Sequence, residues 1–231
     1  MLTGIPAGES GCGPWLKVYF SLRDYPFPAL VAEAMRAGGG SADDLAMLGA
    51  GSGQQRWTRS TDQASVWHRR FYDDFPRWRH RYDEFVATRI APLFDEPVYY
   101  QAVPTFRVHL PGNVAVGEFH TDAQYHHPAG EVSFWLPLTR AWGSNSVWVA
   151  GPDGRLSAFV AAPGEVVVFD AVRQRHGNLV NTTGRTRVSF DFRCLPVRTF
   201  RETWLRSVNM GLRFVPGEYY NAEPVGHPPS S

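Results

Sequence analysis

His120 and Asp122 stand two residues apart in Gly117-Glu118-Phe119-His120-Thr121-Asp122, and His176 follows later in Arg175-His176-Gly177-Asn178. On an extended strand residues i and i+2 point to one face, so this spacing presents an imidazole and a carboxylate side by side. Two neutral imidazoles and one carboxylate gathered on one face of a transition metal leave its other positions open to small molecules. A His-x-Asp pair by itself fits an exposed polar turn equally well. A third group shifts the balance. Residues 185–193 read as a strand by their alternation, with Arg187, Ser189, Asp191 and Arg193 on one face and Val188, Phe190 and Phe192 on the other. The polar face is either wet or turned inward toward a metal, with the apolar face packed beneath helices. In the second case Arg187, with the Ser189 hydroxyl two residues on, is suited to gripping a terminal carboxylate through two parallel hydrogen bonds, where lysine offers only a point charge.

These groups need a scaffold, and 231 residues of which 43% are hydrophobic can bury a substantial core. Residues 26–37 read as a short helix entered at prolines and stopped by Gly38-Gly39-Gly40, followed by a glycine-rich stretch, 38–53, that forms a loop or lid. From Thr61 to Phe94 aromatic and aliphatic residues recur every three or four positions, which predicts two amphipathic helices broken at Pro76. After Pro97, β-branched and aromatic runs alternate with Gly-, Pro- and Asn-bearing turns, leaving room between Val98 and Leu195 for the roughly eight strands of a jelly roll. The expected fold is therefore mainly β with flanking α-helices, a jelly roll with helices on the outer face of one sheet. One domain spans 1–231, with a helical flank over about 20–96, a jelly-roll core over 97–195 and a C-terminal extension over 196–223. The segment 224–231 is expected to be disordered.

Composition narrows the function classes. With 23 basic and 22 acidic residues the net charge is +1, which offers no field to a nucleic-acid backbone. Cys12 and Cys194 make neither a disulfide framework nor a zinc ribbon, and Cys194 reads as core. No leader pattern or long apolar run occurs, so the expectation is a cytoplasmic protein, a monomer or homodimer, acting on a small molecule with neither membrane nor nucleic acid as partner.

His120-x-Asp122, then His176, then Arg187-x-Ser189 resembles the Fe(II)/2-oxoglutarate-dependent oxygenases, which implies that the jelly roll is a double-stranded β-helix with flanking helices. The resemblance covers about Val98 to Leu195 and implies Fe(II) on His120, Asp122 and His176, with 2-oxoglutarate on Arg187 and Ser189 and dioxygen as the other co-substrate. The surrounding words, among them His120-Thr121-Asp122-Ala123-Gln124-Tyr125 and Trp142-Gly143-Ser144-Asn145-Ser146, are similar to the phytanoyl-CoA-hydroxylase-like oxygenases of aminoglycoside and orthosomycin antibiotic biosynthesis. The orthoester-forming oxygenase of the hygromycin B pathway is among them. That similarity implies C–H oxidation of an aminoglycoside or oligosaccharide, ending in oxidative cyclisation. Hydroxylation of another small metabolite is the alternative within the class. A cupin-like isomerase or a binding module shares the sandwich but leaves Arg187-x-Ser189 unexplained.

Other residues have two readings each. Asn145 either contacts 2-oxoglutarate or satisfies its own turn. Trp135 is a flat wall for a sugar ring or a core residue. Gln124 and Tyr125 follow the metal motif at the barrel mouth, where substrate contacts concentrate, while His126 and His127 read as solvated loop histidines. Glu118 and Asp191 are candidate contacts to a cationic substrate, with pairing to neighbouring arginines as the plain alternative.

Overall fold

Apolar runs separated by turns fold into nine strands among the residues described by the computed structural model, namely 15–36, 45–49, 64–115 and 118–226. In chain order these are β1 (Leu16–Tyr19), helix α1 (Phe27–Arg36), helix α2 (Val66–Phe85), β2 (Val98–Tyr100), β3 (Thr105–His109), β4 (Val132–Pro137), β5 (Val147–Ala150), β6 (Leu156–Ala158), β7 (Glu165–Phe169), β8 (His176–Asn178) and β9 (Arg187–Pro196). The larger sheet runs β1-β7-β4-β9-β2, with β3 also on β9, and the smaller runs β6-β5-β8. Every pairing between strands is antiparallel. This is the expected jelly roll, with β1 as an addition: Leu16–Tyr19, ahead of the expected helical flank and assigned no element from the sequence, pairs with β7 at the edge of the larger sheet.

β9 is central because β4 runs along one edge while β3 and then β2 share the other. All ten of its residues are buried. Val188, Phe190, Phe192 and Cys194 join Phe71, Phe75, Trp78 and Tyr82 of α2 in one apolar cluster. Phe71 stacks on Phe106 of β3 at 4.3 Å and Tyr82 meets Phe192 edge-on at 5.4 Å. A second cluster, containing Trp135, Val147, Phe159 and Val167, brings together residues of the two sheets.

Two helices broken at Pro76 were expected, yet α2 runs unbroken from Val66 to Phe85 with Pro76 inside it and continues as a π-turn, Val86–Ile90. Pro76 lies on the exposed face, so its ring and the lost hydrogen bond face solvent while the aromatic residues flanking it stay on the sheet. Burial of that stripe outweighs the local cost.

Of the proposed lid, only residues 45–49 are described. Leu45 and Leu48 are buried, and Thr186 donates its hydroxyl to the Leu48 carbonyl at 2.6 Å, so this piece is anchored beside the start of β9. The rest of 38–53 lies outside the described residues, as do 227–231. Within the tail expected to be disordered, Val225 forms a reciprocal bridge with Val98, both bonds at 2.9 Å, so order extends past Pro224. Among the described residues no helix is long and apolar enough to cross a membrane.

Candidate metal centre

His120 and His176 are paired through their backbones, each N–H donating to the other's carbonyl at 2.9 and 2.8 Å, which sets the two imidazoles side by side with ring centroids 4.5 Å apart. Gly177 makes room for this pairing: a Cβ there would lie 3.0 Å from the Phe119 Cα and ring, pushing on the residue before His120. Asp122 is the first residue of a 3-10 turn, Asp122–Tyr125, rather than part of a continuous strand. Its N–H donates to the Ala171 carbonyl at 2.8 Å, and the turn is capped reciprocally by Thr121 and Gln124.

The three side chains converge. Asp122 Oδ1 lies 3.6 Å from His120 Nε2 and 3.5 Å from His176 Nε2, and the three ligand atoms all fall within 4.8 Å of one another. His120 Nδ1 faces the Glu118 carbonyl at 2.7 Å and His176 Nδ1 the Gln174 carbonyl at 2.9 Å. A carbonyl only accepts, so these bonds assign the proton to Nδ1 and leave the Nε2 lone pair on the carboxylate side.

The electrostatics bear on Asp122 and His176. Burial alone would raise the Asp122 pKa, but the Arg193 guanidinium overrides it and holds the carboxyl well below the usual carboxylate range. Burial pushes the His176 pKa down, against the pull of Asp122. Two imidazole nitrogens and one ionised carboxylate oxygen converging on a common point are a donor set for a first-row divalent cation with open positions, so the residues present fit the metal that the motif implies. Arg193 also orients the carboxylate: its Nε and Nη2 donate to Asp122 Oδ2 at 3.3 and 3.0 Å, leaving Oδ1 toward the histidines.

The triad opens into a cavity of about 470 Å³ that also contains Arg187, Trp135, Tyr125 and Asp191 in its wall. Arg187 is 2% exposed, and its guanidinium is fixed by the Asn145 carbonyl at 3.1 Å, Ser189 Oγ at 3.0 Å and Asn178 Oδ1 at 2.8 Å. It also lies over the Trp135 ring at 5.9 Å. Tyr125 meets His120 edge-on at 4.8 Å. The polar face of β9 is thus turned inward.

Several side chains are placed differently from the expectation. Glu118 is exposed and lies outside the cavity wall; what it contributes is its carbonyl, which holds His120. Gln124 is exposed and accepts from the Thr121 N–H at 2.9 Å, a capping role. The Asn145 side chain accepts from Trp142 N at 2.8 Å and donates to Thr183, closing its turn, while its backbone carbonyl holds Arg187. Ser189 is fully buried behind Arg187 and is not in the cavity wall. Asp191 is ion-paired with Arg193 and Arg107. His127 is no solvated loop residue: its Nδ1 lies 2.6 Å from Glu131 Oε2, its ring packs on Phe214 at 4.8 Å, and Tyr220 donates to the other oxygen of Glu131.

Reasoning from sequence missed Arg193 as the partner of Asp122, although its shared face with Arg187 and Asp191 was the available signal. It also missed Arg107 and the Ser207 to Met210 wall supplied by the C-terminal extension, and it gave no role to Ser133, which alternation puts on the same strand face as Trp135. Nothing local marks that last segment, because a long-range return of the chain brings it to the cavity.

No protein-family model matches the chain. It is 38% identical over 207 residues to the streptomycin biosynthesis protein StrG of Streptomyces griseus, covering 90% of this chain and 98% of that protein. Among solved structures it resembles EctD from S. alaskensis with 2-oxoglutarate and 5-hydroxyectoine, at 15% identity and a TM-score of 0.53 over 85% of this chain and 80% of that one. The apo form of EctD matches over the same shares, again at 15% identity, with a TM-score of 0.51. These likenesses establish a shared fold.

Proposed function

Given that the chain belongs to the family of the streptomycin biosynthesis protein StrG, we propose that it is an Fe(II)- and 2-oxoglutarate-dependent oxygenase that oxidises a C–H bond of a saccharide in antibiotic biosynthesis. The observation that carries this reading is the convergence of His120 Nε2, His176 Nε2 and Asp122 Oδ1 in one cavity with the buried guanidinium of Arg187. Iron(II) bound there supplies the coupling of substrate oxidation by dioxygen to the decarboxylation of 2-oxoglutarate, giving succinate and carbon dioxide.

The chain's own residues bind, orient and shield. Glu118 and Gln174 hold the imidazole tautomers through their carbonyls, and Arg193 turns the Asp122 carboxylate so that one oxygen is free to ligate. Arg187 grips the far carboxylate of 2-oxoglutarate, held for that task by Asn145, Ser189 and Asn178. Tyr125 and Trp135 wall the cavity beside these groups and narrow the approach of water and substrate. The product we propose is ring-closed: a neighbouring hydroxyl closes onto the oxidised carbon, so substrate loses two hydrogens and one water is released. The support is the similarity of the words around His120 and Asn145 to orthoester-forming oxygenases. Simple hydroxylation differs by a net gain of one oxygen, which product mass distinguishes.

The test is anaerobic difference absorption of the full chain with Fe(II). Addition of 2-oxoglutarate is expected to produce the weak visible charge-transfer band of a keto acid chelated to ferrous iron. His176→Ala should lose the band. Arg187→Ala should still bind iron but require far more 2-oxoglutarate. A protein that binds Fe(II) and shows no band at saturating keto acid overturns the proposal.

A further inference from the structure

The oxygenase reading employs the triad and Arg187 but leaves a second group of polar atoms in the same cavity without a task. Arg107 on β3 stands opposite Ser189 and donates through Nε to Asp191 Oδ1 at 3.3 Å. Its Nη1 is buried and has no hydrogen-bond partner among the described residues, although 17% of the side chain remains exposed. Ser133 on β4 and Ser207 in the C-terminal extension line the same cavity, and their buried hydroxyls likewise lack a partner among the described residues. Unsatisfied buried donors are uncommon and costly, so three of them in one wall call for a ligand that supplies their partners.

Charge decides the kind of ligand. Among the described residues, Arg107, Arg187 and Arg193 line the cavity against only two carboxylates, Asp122 and Asp191. Asp191 is shared between Arg107 and Arg193, and Asp122 is already engaged by Arg193. His127 is paired with Glu131. A divalent metal and the dianion of 2-oxoglutarate cancel, which leaves one positive charge in excess, at the guanidinium whose Nη1 is unmatched. An ammonium group entering here would meet carboxylates already neutralised by arginine. An anionic oxygen would meet a free N–H with geometry suited to it.

On the footing of the oxygenase reading above, we propose that Arg107 receives an anionic substituent, a phosphate monoester or a carboxylate, carried by a polyhydroxylated substrate whose hydroxyls are met by Ser133 and Ser207. The substrate thus enters as an acidic sugar derivative rather than as the polycation that Glu118 and Asp191 were expected to attract.

Isothermal titration of the full chain, anaerobic and with Fe(II) and 2-oxoglutarate present, compares D-glucose 6-phosphate, D-glucuronate, D-glucose and D-glucosamine. At least one acidic sugar should bind about tenfold or more tightly than glucose, the size of one charge-assisted hydrogen bond. Glucosamine should bind no more tightly than glucose. Whichever acidic sugar prevails identifies the substituent. The preference should shrink as salt is raised, a readout that needs no variant. Arg107→Gln should bring the acidic sugars down to the level of glucose with the charge-transfer band intact, and the double variant Ser133→Ala, Ser207→Ala should weaken all four sugars alike while keeping the order. If neither acidic sugar exceeds glucose, if glucosamine binds best, or if a folded Arg107→Gln retains the preference, the proposal is overturned. Loss of the band with the preference intact would instead remove the oxygenase reading and leave the anion site standing.

Discussion

Val188, Phe190 and Phe192 of β9 are sealed beneath α2, while Arg187, Ser189, Asp191 and Arg193, one residue away on the same strand, are sealed inside the cavity. Both faces are buried, but by different physics. The apolar face is held by non-directional burial and dispersion, which any well-fitting neighbour can supply. The polar face survives burial only because its groups have specific partners: Ser189 and Asn178 for Arg187, and Asp122 and Asp191 for Arg193. Replacing such a set with apolar residues commonly costs little stability, so its presence is better explained by what it positions than by what it stabilises. One strand therefore fixes the fold with its even-numbered residues and the site with its odd-numbered ones.

If that division is real, a large lesion on the apolar face should unfold the protein without altering the site of the molecules that remain folded. Phe190 is fully buried and meets Phe27 edge-on at 5.4 Å. Phe190→Ala should cost about 3–5 kcal/mol, read by denaturant unfolding, with the affinity of the folded fraction for Fe(II) and 2-oxoglutarate unchanged. A loss of affinity larger than the loss of folded protein would break the division.

A second prediction sets one histidine on each side of the sheet. His68 on α2 packs edge-on against Phe106 at 5.5 Å, and His109 on β3 lies between the carbonyls of Asn113 and Asn145, at 2.8 and 3.2 Å. Burial lowers the pKa of each to about 4, helped by Arg107 at His68 and by Arg187 at His109. The unfolded chain takes up these protons near pH 6.5 and the folded one only near pH 4, so stability rises with pH across that window. It is fully present above about 6.5 and lost as the pH falls toward 4, by at most about 3 kcal/mol for each histidine. Thermal midpoints measured from pH 7 to 4.5 should fall, and His68→Phe should remove part of the slope. An unchanged slope in that variant refutes the buried neutral state of His68.

The comparison of faces also explains how much was legible. Alternation is a local property, so the two faces of β9, the His-x-Asp pair and the helical stripe could be read directly. The direction of a side chain beside a motif could not, because turns decide it: Glu118 and Gln124 flank the metal residues in sequence, yet the His120 bridge and the 3-10 turn send both outward. Pro76 was misread because its cost depends on which helix face it occupies. β1 is too short to show itself before β7 pairs with it. His127 and Ser207 depend on the return of the C-terminal extension, and Arg193 was visible on the right face without any local sign that its partner would be Asp122.

That partnership is the next place to test the polar face. Arg193→Met removes the donors to Asp122 Oδ2 and keeps most of the volume, leaving the carboxylate buried and free to rotate. Affinity for Fe(II) should fall about 10- to 100-fold, as when other groups that orient metal ligands are removed. Affinity of the remaining metal-loaded protein for 2-oxoglutarate should fall much less, since Arg187 is intact. Equal losses in both would mean that Arg193 holds the whole cavity together rather than one ligand.

The smallest effect expected comes from Cys194, where the apolar face reaches the end of the strand. Its side chain is fully buried opposite Tyr100 of β2 and Val132 of β4, and burial pushes the thiol pKa well up. A thiol held protonated and out of solvent is a poor nucleophile, so an alkylating reagent should modify Cys194 only after unfolding. Cys194→Ala should cost about 1 kcal/mol, comparable to removing one methylene-sized group from a core, with no change in metal or keto-acid binding. Rapid alkylation of the native protein at this position would show the strand end to be open, and the apolar face would then have to stop at Phe192.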